Sequence, residues 1–379
     1  MTTLRVVVDQ ILAPVPGGIG RYTVELTRGL IATAPRGCDV EAVVAAHPQA
    51  DYDRIDDLLP GLAGLAKAPL GRRELSLAWQ SGLVGLPGRG MVHSTSLLAP
   101  LSRHDRSLEP STQTVVTIHD TVPWTHPHTL TPRGVRWHKA MARRAHRFAD
   151  AVVVPTHAVA DDLAERFDFG DRLRVIGGAV SSDLAVPTDA DALADALDLP
   201  PAYALSVGTL EPRKGIEPLI QAMGHADAPE IPLLIVGPDG WGDVSIADIV
   251  AREGLPEGRV RSLGFVSDAQ LAVLLQRASV FVFPSLAEGF GLPVVEALSL
   301  GTPTVISDTP ALVEVAADAA VIVARDDPEG YPGRLAQAMF QVVNDVELST
   351  RLGVVGLDRS HAFSWTDSAD KVWQLHADL

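Results

Sequence analysis

The residues of this chain best suited to chemistry gather in its carboxyl-terminal half. Glu288 and Glu296 stand eight positions apart and enclose Gly289-Phe290-Gly291-Leu292, while the adjacent cations Arg213 and Lys214 lie earlier in the same half. The run Val280-Phe281-Val282-Phe283 has the β-branched and aromatic character of a buried strand, and Pro284 ends it because proline cannot donate to a sheet ladder. Pro293 suits the first turn of a helix, whose early N–H groups lack partners in any case, and Gly301 with Pro303 closes that helix. The turn between strand and helix carries two glycines. They allow a ligand to approach the backbone closely, with unpaired N–H groups and the positive end of the helix dipole facing it. An anionic ligand is implied. Carboxylates repel phosphate, so Glu288 and Glu296 must serve another part of that ligand, and hydroxyl groups are the candidates. A sugar nucleotide offers both phosphates and many hydroxyls.

The charge distribution makes the cations conspicuous. Formal net charge is −16, and residues 181–379 hold only 11 Lys and Arg against 29 Asp and Glu. Residues 1–180 hold 20 and 18. A half that acidic is a poor partner for nucleic acid, whose binding rests on clustered cations. Arg213 and Lys214 sit in Gly208-Thr209-Leu210-Glu211-Pro212-Arg213-Lys214-Gly215, just after a strand-like run at 203–207. Ligands of open α/β sheets bind at that carboxyl edge. Each cation–phosphate contact at about 4 Å is worth roughly 4 kcal/mol at an effective dielectric near 20, enough to overcome the acidic field locally.

Two features of the first half stand at equivalent places. Pro16-Gly17-Gly18-Ile19-Gly20 follows a strand-like run at 4–8 and precedes a helical pattern, so it forms either a phosphate cradle or a plain tight turn. His119, with Asp120, ends the strand-like run at 114–118 and reads either as a ligand-facing histidine or as a structural one.

These residues need elements to hold them. At 379 residues the chain exceeds one ordinary core and predicts two or three domains. Strand-like runs at 4–8, 40–46, 91–93, 114–118, 151–154 and 173–176 alternate with helical patterns, among them 54–66 and 73–84. A second series runs at 203–207, 231–236, 260–263, 280–283, 304–306 and 320–323. Continuous apolar strands of this kind belong to parallel sheets covered on both faces. Residues 181–200, acidic and ending in two prolines, read as a linker with one short helix. The prediction is a first domain at 1–182, a second at 183–362, and a closing helix at 363–379 that packs back on the first.

Other observations bound the class. Apolar runs fall far short of the ~20 residues a membrane span needs, and the amino terminus enters a strand without a secretory pattern, so a cytoplasmic protein is expected. Cys38 is the single cysteine, which excludes an internal disulfide or a cysteine metal site. No metal site is expected, since His126 and His128 lack neighbouring carboxylates. The most basic stretch, 133–147, places Arg136, Lys139, Arg143 and Arg147 on one helical stripe and Trp137, Met141, Ala145 and Phe148 on the other. The basic stripe is either a solvated surface or a weak dock for a membrane surface or lipid-phosphate acceptor.

Taken together, Gly17-Gly18-Ile19-Gly20-Arg21-Tyr22-Thr23, His119-Asp120, Glu211-Pro212-Arg213-Lys214-Gly215, Leu263-Gly264-Phe265-Val266 and the Glu288 to Glu296 motif make the chain resemble the retaining glycosyltransferases of family 4. The resemblance implies the GT-B fold, with two Rossmann-like doubly wound domains facing a central cleft. It implies that Arg213, Lys214 and Gly18 hold the donor diphosphate, that Glu288 meets the donor sugar with His119 nearby, and that Glu296 meets the ribose. Gly289, Phe290, Gly291 and Leu292 would line the sugar and phosphate, and the backbone near Phe265 the base. Catalysis would rest on His119, Glu288, Arg213 and Lys214 without a metal or other cofactor, and the acceptor would be a carbohydrate or lipid-linked glycan. Relatives with a Gly-Ile-Gly-Arg-Tyr-Thr pattern point to mannose from GDP-mannose, with UDP-glucose and UDP-N-acetylglucosamine left open. In place of the family's Pro-Asn-Gly-Val turn stands Ile176-Gly177-Gly178-Ala179-Val180. A GT-B epimerase acting on the sugar nucleotide, and a non-catalytic sugar-nucleotide-binding protein, are the competing readings.

Overall fold

A computed structural model describes residues 2–82, 84, 90–105, 108, 112–238, 240 and 245–379. The chain divides into two compact units. The first comprises Met1–Pro127, Thr131–Gly178 and Ser364–Leu379, and the second His128–Leu130 and Ala179–Phe363.

Among the described residues, the first unit holds a parallel sheet of seven strands: β1 (Thr2–Val7), β2 (Cys38–Ala46), β3 (Gly64–Gly71), β4 (Met91–Ser94), β5 (Gln113–Thr117), β6 (Ala151–Val154) and β7 (Leu173–Val175). Their spatial order is β3-β2-β1-β4-β5-β6-β7. Side chains alternate between two apolar layers. Leu4, Val6, Val40, Ala42 and Val44 pack under Leu26 and Leu30 of the helix Gly17–Ala32 and under Ala369 and Val372 of the final helix Trp365–Asp378. Val7, Val43 and Val92 pack on the other face with Leu75 and Trp79. A sheet buried on both faces explains why its strands read as continuous apolar runs.

The second unit repeats the plan with β8 (Ala204–Val207), β9 (Leu233–Val236), β10 (Val260–Gly264), β11 (Val280–Phe283), β12 (Thr304–Ser307) and β13 (Ala320–Val323), all parallel, in the order β10-β9-β8-β11-β12-β13. Both sheets are therefore doubly wound, with the direction of winding reversing beside their first strand.

One predicted element is wrong. The helical pattern at 54–66 is a helix Gln49–Leu58 followed by the edge strand β3. Pro60-Gly61, with Gly61 at φ +94°, stops the helix, and Pro69 is tolerated in β3 because an edge strand leaves one side unpaired. The helix predicted at 73–84 is Arg72–Ser81; Leu83 lies outside the described residues. The glycines expected in a turn before the first long helix instead form its first turn, since that helix starts at Gly17 after Pro16.

The basic stretch is the helix Pro132–Phe148, capped by Thr131, whose hydroxyl accepts from Gly134 N at 3.0 Å. Met141, Ala142 and Ala145 are buried, while Arg133, Arg136, Arg143 and Arg147 are exposed. Arg144 turns inward and donates to the Leu101 carbonyl. Among the described residues, no helix is long and apolar enough to cross a membrane.

Candidate functional site

In the second unit the winding reverses between β8 and β11, the place where open α/β sheets hold their ligands at the strands' carboxyl ends. Arg213 and Lys214 arrive there on the short 3₁₀ turn Pro212–Lys214 after β8, and Glu288 arrives on the loop after β11. Gly215, at φ +67°, makes the two loops fit, because a Cβ there would overlap the Pro284 carbonyl. Leu286 N donates to the Arg213 carbonyl at 2.7 Å and locks them together.

Glu288 Oε1 accepts from Lys214 Nζ at 2.6 Å, from Ser285 Oγ at 2.8 Å and from Arg213 Nη1 at 3.2 Å. Arg213 Nε also donates to Glu211 Oε2 at 3.0 Å. Only 9% of the Glu288 side chain and 12% of that of Lys214 is exposed. Burial pushes the Glu288 carboxyl upward, but the charges of Lys214 and Arg213 outweigh it and hold the group below the usual carboxylate range. Burial, and then the neighbouring Arg213, lower the Lys214 ammonium from its ordinary value, against the pull of Glu288. The Lys214 Nζ also lies 5.1 Å from the Phe283 ring centre.

The loop between β11 and Glu288 is held by its carbonyls. Tyr331 Oη donates to Pro284 O, the hydroxyls of Ser307 and Thr309 to Ser285 O, Arg325 to Leu286 O, and Arg213 to Ala287 O. Each of four successive carbonyls thus meets a side-chain donor, which fixes the loop that carries Glu288. The sequence reading missed Ser285, Ser307, Thr309, Arg325 and Tyr331. Ser285 stands beside the motif and could have been found; the other four come from later elements and carry no local signal.

Gly291, at φ +92°, caps the helix Leu292–Ser299, with Pro293 in its first turn. Glu296 lies on that helix and is 3% exposed. Phe290 is buried and packs edge-on against Phe363, with ring centres 5.5 Å apart, and Leu292 is also buried. Phe265, just after β10, is 84% exposed. The sequence set Glu288 apart from Arg213 and Lys214; the fold joins all three on one carboxylate oxygen.

In the first unit the reversal lies between β1 and β4. Gly18 is exposed in the first turn of the helix Gly17–Ala32, where backbone N–H groups lack helical partners. The chain before it is tied by a relay that sequence reasoning did not find. Arg72 donates to Asp9 O at 2.6 Å and to Gln10 Oε1 at 2.7 Å, and Gln10 Nε2 donates to Pro16 O at 3.3 Å. His119 Nε2 lies 2.7 Å from Thr95 O. A carbonyl can only accept, so Nε2 carries the proton. Burial lowers the ring's affinity for a second proton, leaving a neutral imidazole with Nδ1 as an acceptor. The Tyr22 ring packs edge-on against it at 4.8 Å. Among the described residues, no group of three or more His, Cys, Asp or Glu is placed to hold a metal.

Two family models match in succession: "Glycosyltransferase Family 4" over residues 16–184 and "Glycosyl transferases group 1" over residues 184–353. The O-antigen chain mannosyltransferase B of Escherichia coli is 39% identical over 166 residues, 43% of this chain and 42% of the relative. A serotype-specific mannosyltransferase of the same organism is 30% identical over 58% of this chain and 28% of the relative. The chain thus matches less than half the length of either. The alpha-maltose-1-phosphate synthase of Mycolicibacterium smegmatis is 27% identical over 95% of each. Among solved structures, sucrose-phosphate synthase from Thermosynechococcus elongatus aligns over all of this chain and 99% of its own, at a TM-score of 0.75 and 22% identity. Anabaena HepE, solved with UDP and glucose, aligns over the whole of both chains at 0.75 and 18%. These likenesses show the GT-B fold class. With consecutive matches across both units and a doubly wound sheet in each, the chain belongs to the glycosyltransferases, combining a family 4 amino-terminal unit with a group 1 carboxyl-terminal unit.

Proposed function

We propose that this protein is a retaining glycosyltransferase that moves mannose from GDP-mannose to an acceptor hydroxyl in glycan or glycolipid synthesis, in the cytoplasm and without a metal. The observation that carries the reading is the Arg213–Lys214–Glu288–Ser285 cluster at the winding reversal of the second unit. A donor diphosphate competes with Glu288 for the two cations. Once they turn to phosphate, the carboxylate is released toward the sugar hydroxyls, while Glu296 serves the ribose and the 289–292 backbone the sugar and phosphate. Gly18 and His119 of the first unit belong to the same proposal, Gly18 toward phosphate and His119 toward the sugar.

Glu288 is assigned to the sugar hydroxyls and not to a nucleophile's role. A glycosidase-like double displacement also needs a second carboxyl about 5 Å away. Same-face attack fits better. The bond from the anomeric carbon to the leaving phosphate oxygen breaks, the acceptor oxygen bonds to that carbon, and the acceptor proton passes to the departing phosphate. Positioning and charge stabilisation of the diphosphate supply the catalysis. Mannose is supported by the partial matches to mannosyltransferases, whereas the match over nearly the full length carries another sugar in its name. The epimerase and binding-protein readings are not favoured, because the matching families and relatives are transferases.

The test is incubation with GDP-mannose, UDP-glucose and UDP-N-acetylglucosamine, following nucleoside diphosphate by chromatography and product anomers by NMR. Slow GDP release from GDP-mannose is expected. Release from a UDP-sugar alone overturns the donor, an inverted product overturns retention, and a new sugar nucleotide or binding without turnover overturns the transferase reading.

A further inference from the structure

We infer that the first unit carries a second anion site, on the edge of its sheet opposite to Gly18 and His119, that takes a phosphate group. A cavity of about 380 Å³ opens there among Arg103, His104, Arg147, Phe148, Asp150 and Arg172. Asp150 immediately precedes β6 and Arg172 immediately precedes β7, so the cavity lies at the amino ends of the strands. Gly18 and His119 follow β1 and β5 at the carboxyl ends.

The charges in this cavity do not cancel. Two features attract cations: the carbonyl end of the helix Pro132–Phe148 and the Asp150 carboxylate. Both are already occupied. Arg172 Nη1 donates to Ala149 O at 2.9 Å, and Asp150 Oδ2 receives His104 Nε2 at 2.9 Å and Thr114 N at 2.7 Å. Among the described residues, none of Arg103, Arg147 and Arg172 has a carboxylate partner. Aromatic faces hold two of them in place, with the Arg147 guanidinium 5.2 Å from the Phe148 ring centre and that of Arg172 5.7 Å from the Phe169 ring centre. Three guanidinium groups around one concavity repel each other unless an anion joins them. Their planar forks match phosphate oxygens in pairs. Residues 1–180 hold 20 Lys and Arg against 18 Asp and Glu, so the net charge of this half is close to zero and three arginines at one concavity concentrate positive charge there. Arg147 also belongs to the exposed stripe of Arg136 and Arg143, so the cavity opens beside a basic helix face. The phosphate can come from a soluble molecule or from a lipid headgroup, and the two sources are separable.

The experiment titrates the full chain with pyrophosphate by calorimetry, comparing it with Arg103→Ala and Arg147→Ala. These two side chains are exposed and, among the described residues, have no carboxylate partner, and unchanged thermal unfolding checks that the fold survives. Each substitution is expected to weaken one binding event about tenfold, the effect of losing one charge-assisted contact. Pyrophosphate bound at Arg213 and Lys214 survives both changes and disappears in Arg213→Ala, so failure here and failure of the donor reading give different results. Co-sedimentation with phosphatidylglycerol and phosphatidylcholine vesicles forms the second arm. Capture by phosphatidylglycerol that is lost in Arg103→Ala assigns the site to a headgroup; a pyrophosphate effect without capture assigns it to a soluble phosphate. If neither pyrophosphate binding nor vesicle capture responds to Arg103 or Arg147, the site does not exist.

Discussion

At the scale of single residues, the decisive contact is Glu288 with Lys214 and Arg213. A buried ammonium is costly unless a carboxylate faces it, and a buried carboxylate needs several donors. The site meets both needs by sharing one oxygen among three groups. Under the proposed function, removing either cation takes away one preorganised donor to the leaving diphosphate. Arg213→Ala or Lys214→Ala is expected to lower kcat by roughly 10²–10³, read as the steady-state rate of nucleoside diphosphate release. Unchanged kcat in both variants would contradict the assigned role. His119 differs, because its Nε2 proton is committed to Thr95 O and burial lowers its affinity for a second proton. It can accept a hydrogen bond from a hydroxyl through Nδ1, and burial disfavours its charged form.

At the scale of elements, two loops must meet after β8 and β11, and Gly215 makes that possible. An alanine there faces two penalties, a left-handed backbone and overlap with the Pro284 carbonyl. Gly215→Ala is expected to cost about 2–3 kcal/mol, a fall in Tm of about 4–10 °C for a unit of this size. Differential scanning calorimetry reads it directly, and a shift under about 1 °C would mean that the loops yield freely. Most elements were legible in the sequence because buried parallel strands are short apolar runs with helices between them. The failure at β3 has a definite cause. Leu65-Ala66-Lys67-Ala68 has no helical or strand period strong enough to choose, and pairing with β2 decides the matter. The site was legible where its residues sit side by side, as in Arg213-Lys214 and 288–296. It was not legible in Tyr331, Ser307 or Arg325, whose importance arises only where later elements pass the loop.

At the scale of the whole molecule, the chain returns to its first unit at the end. The helix Trp365–Asp378 packs on Gly17–Ala32, with Trp373 Nε1 donating to Leu30 O at 3.1 Å and Ser368 Oγ to Gly177 O at 2.9 Å. Its His376 lies 5.7 Å, centre to centre, from His93 of β4 and bonds Gln113 Oε1 through Nδ1 at 2.9 Å. Burial lowers the His93 pKa to about 4, and burial with the neighbouring His93 lowers that of His376 as well. In the unfolded chain both titrate near 6.5. The unfolded state therefore binds more protons below that pH, and stability falls as pH drops from about 6.5 toward 4, by about 3 kcal/mol for His93 alone. Urea unfolding across this range measures the slope. His93→Leu, which removes two buried nitrogens that have no hydrogen-bond partner among the described residues, is expected to flatten it, and an equal slope in the variant would assign the acid sensitivity elsewhere.

The sequence by itself determined the two strand–helix alternations, the glycine turn before the helix Leu292–Ser299 and the order of the charged motifs, because these depend on neighbours along the chain: apolar period, proline and glycine geometry, and adjacent charge. It also determined that Arg213 and Lys214 stand out in an acidic half. Only the tertiary structure decided that Glu288 binds both cations through one oxygen, that four side chains from distant elements hold the loop that carries it, and that Arg103, Arg147 and Arg172 converge on one cavity. Those are contacts between residues far apart in sequence, fixed by which strand lies beside which.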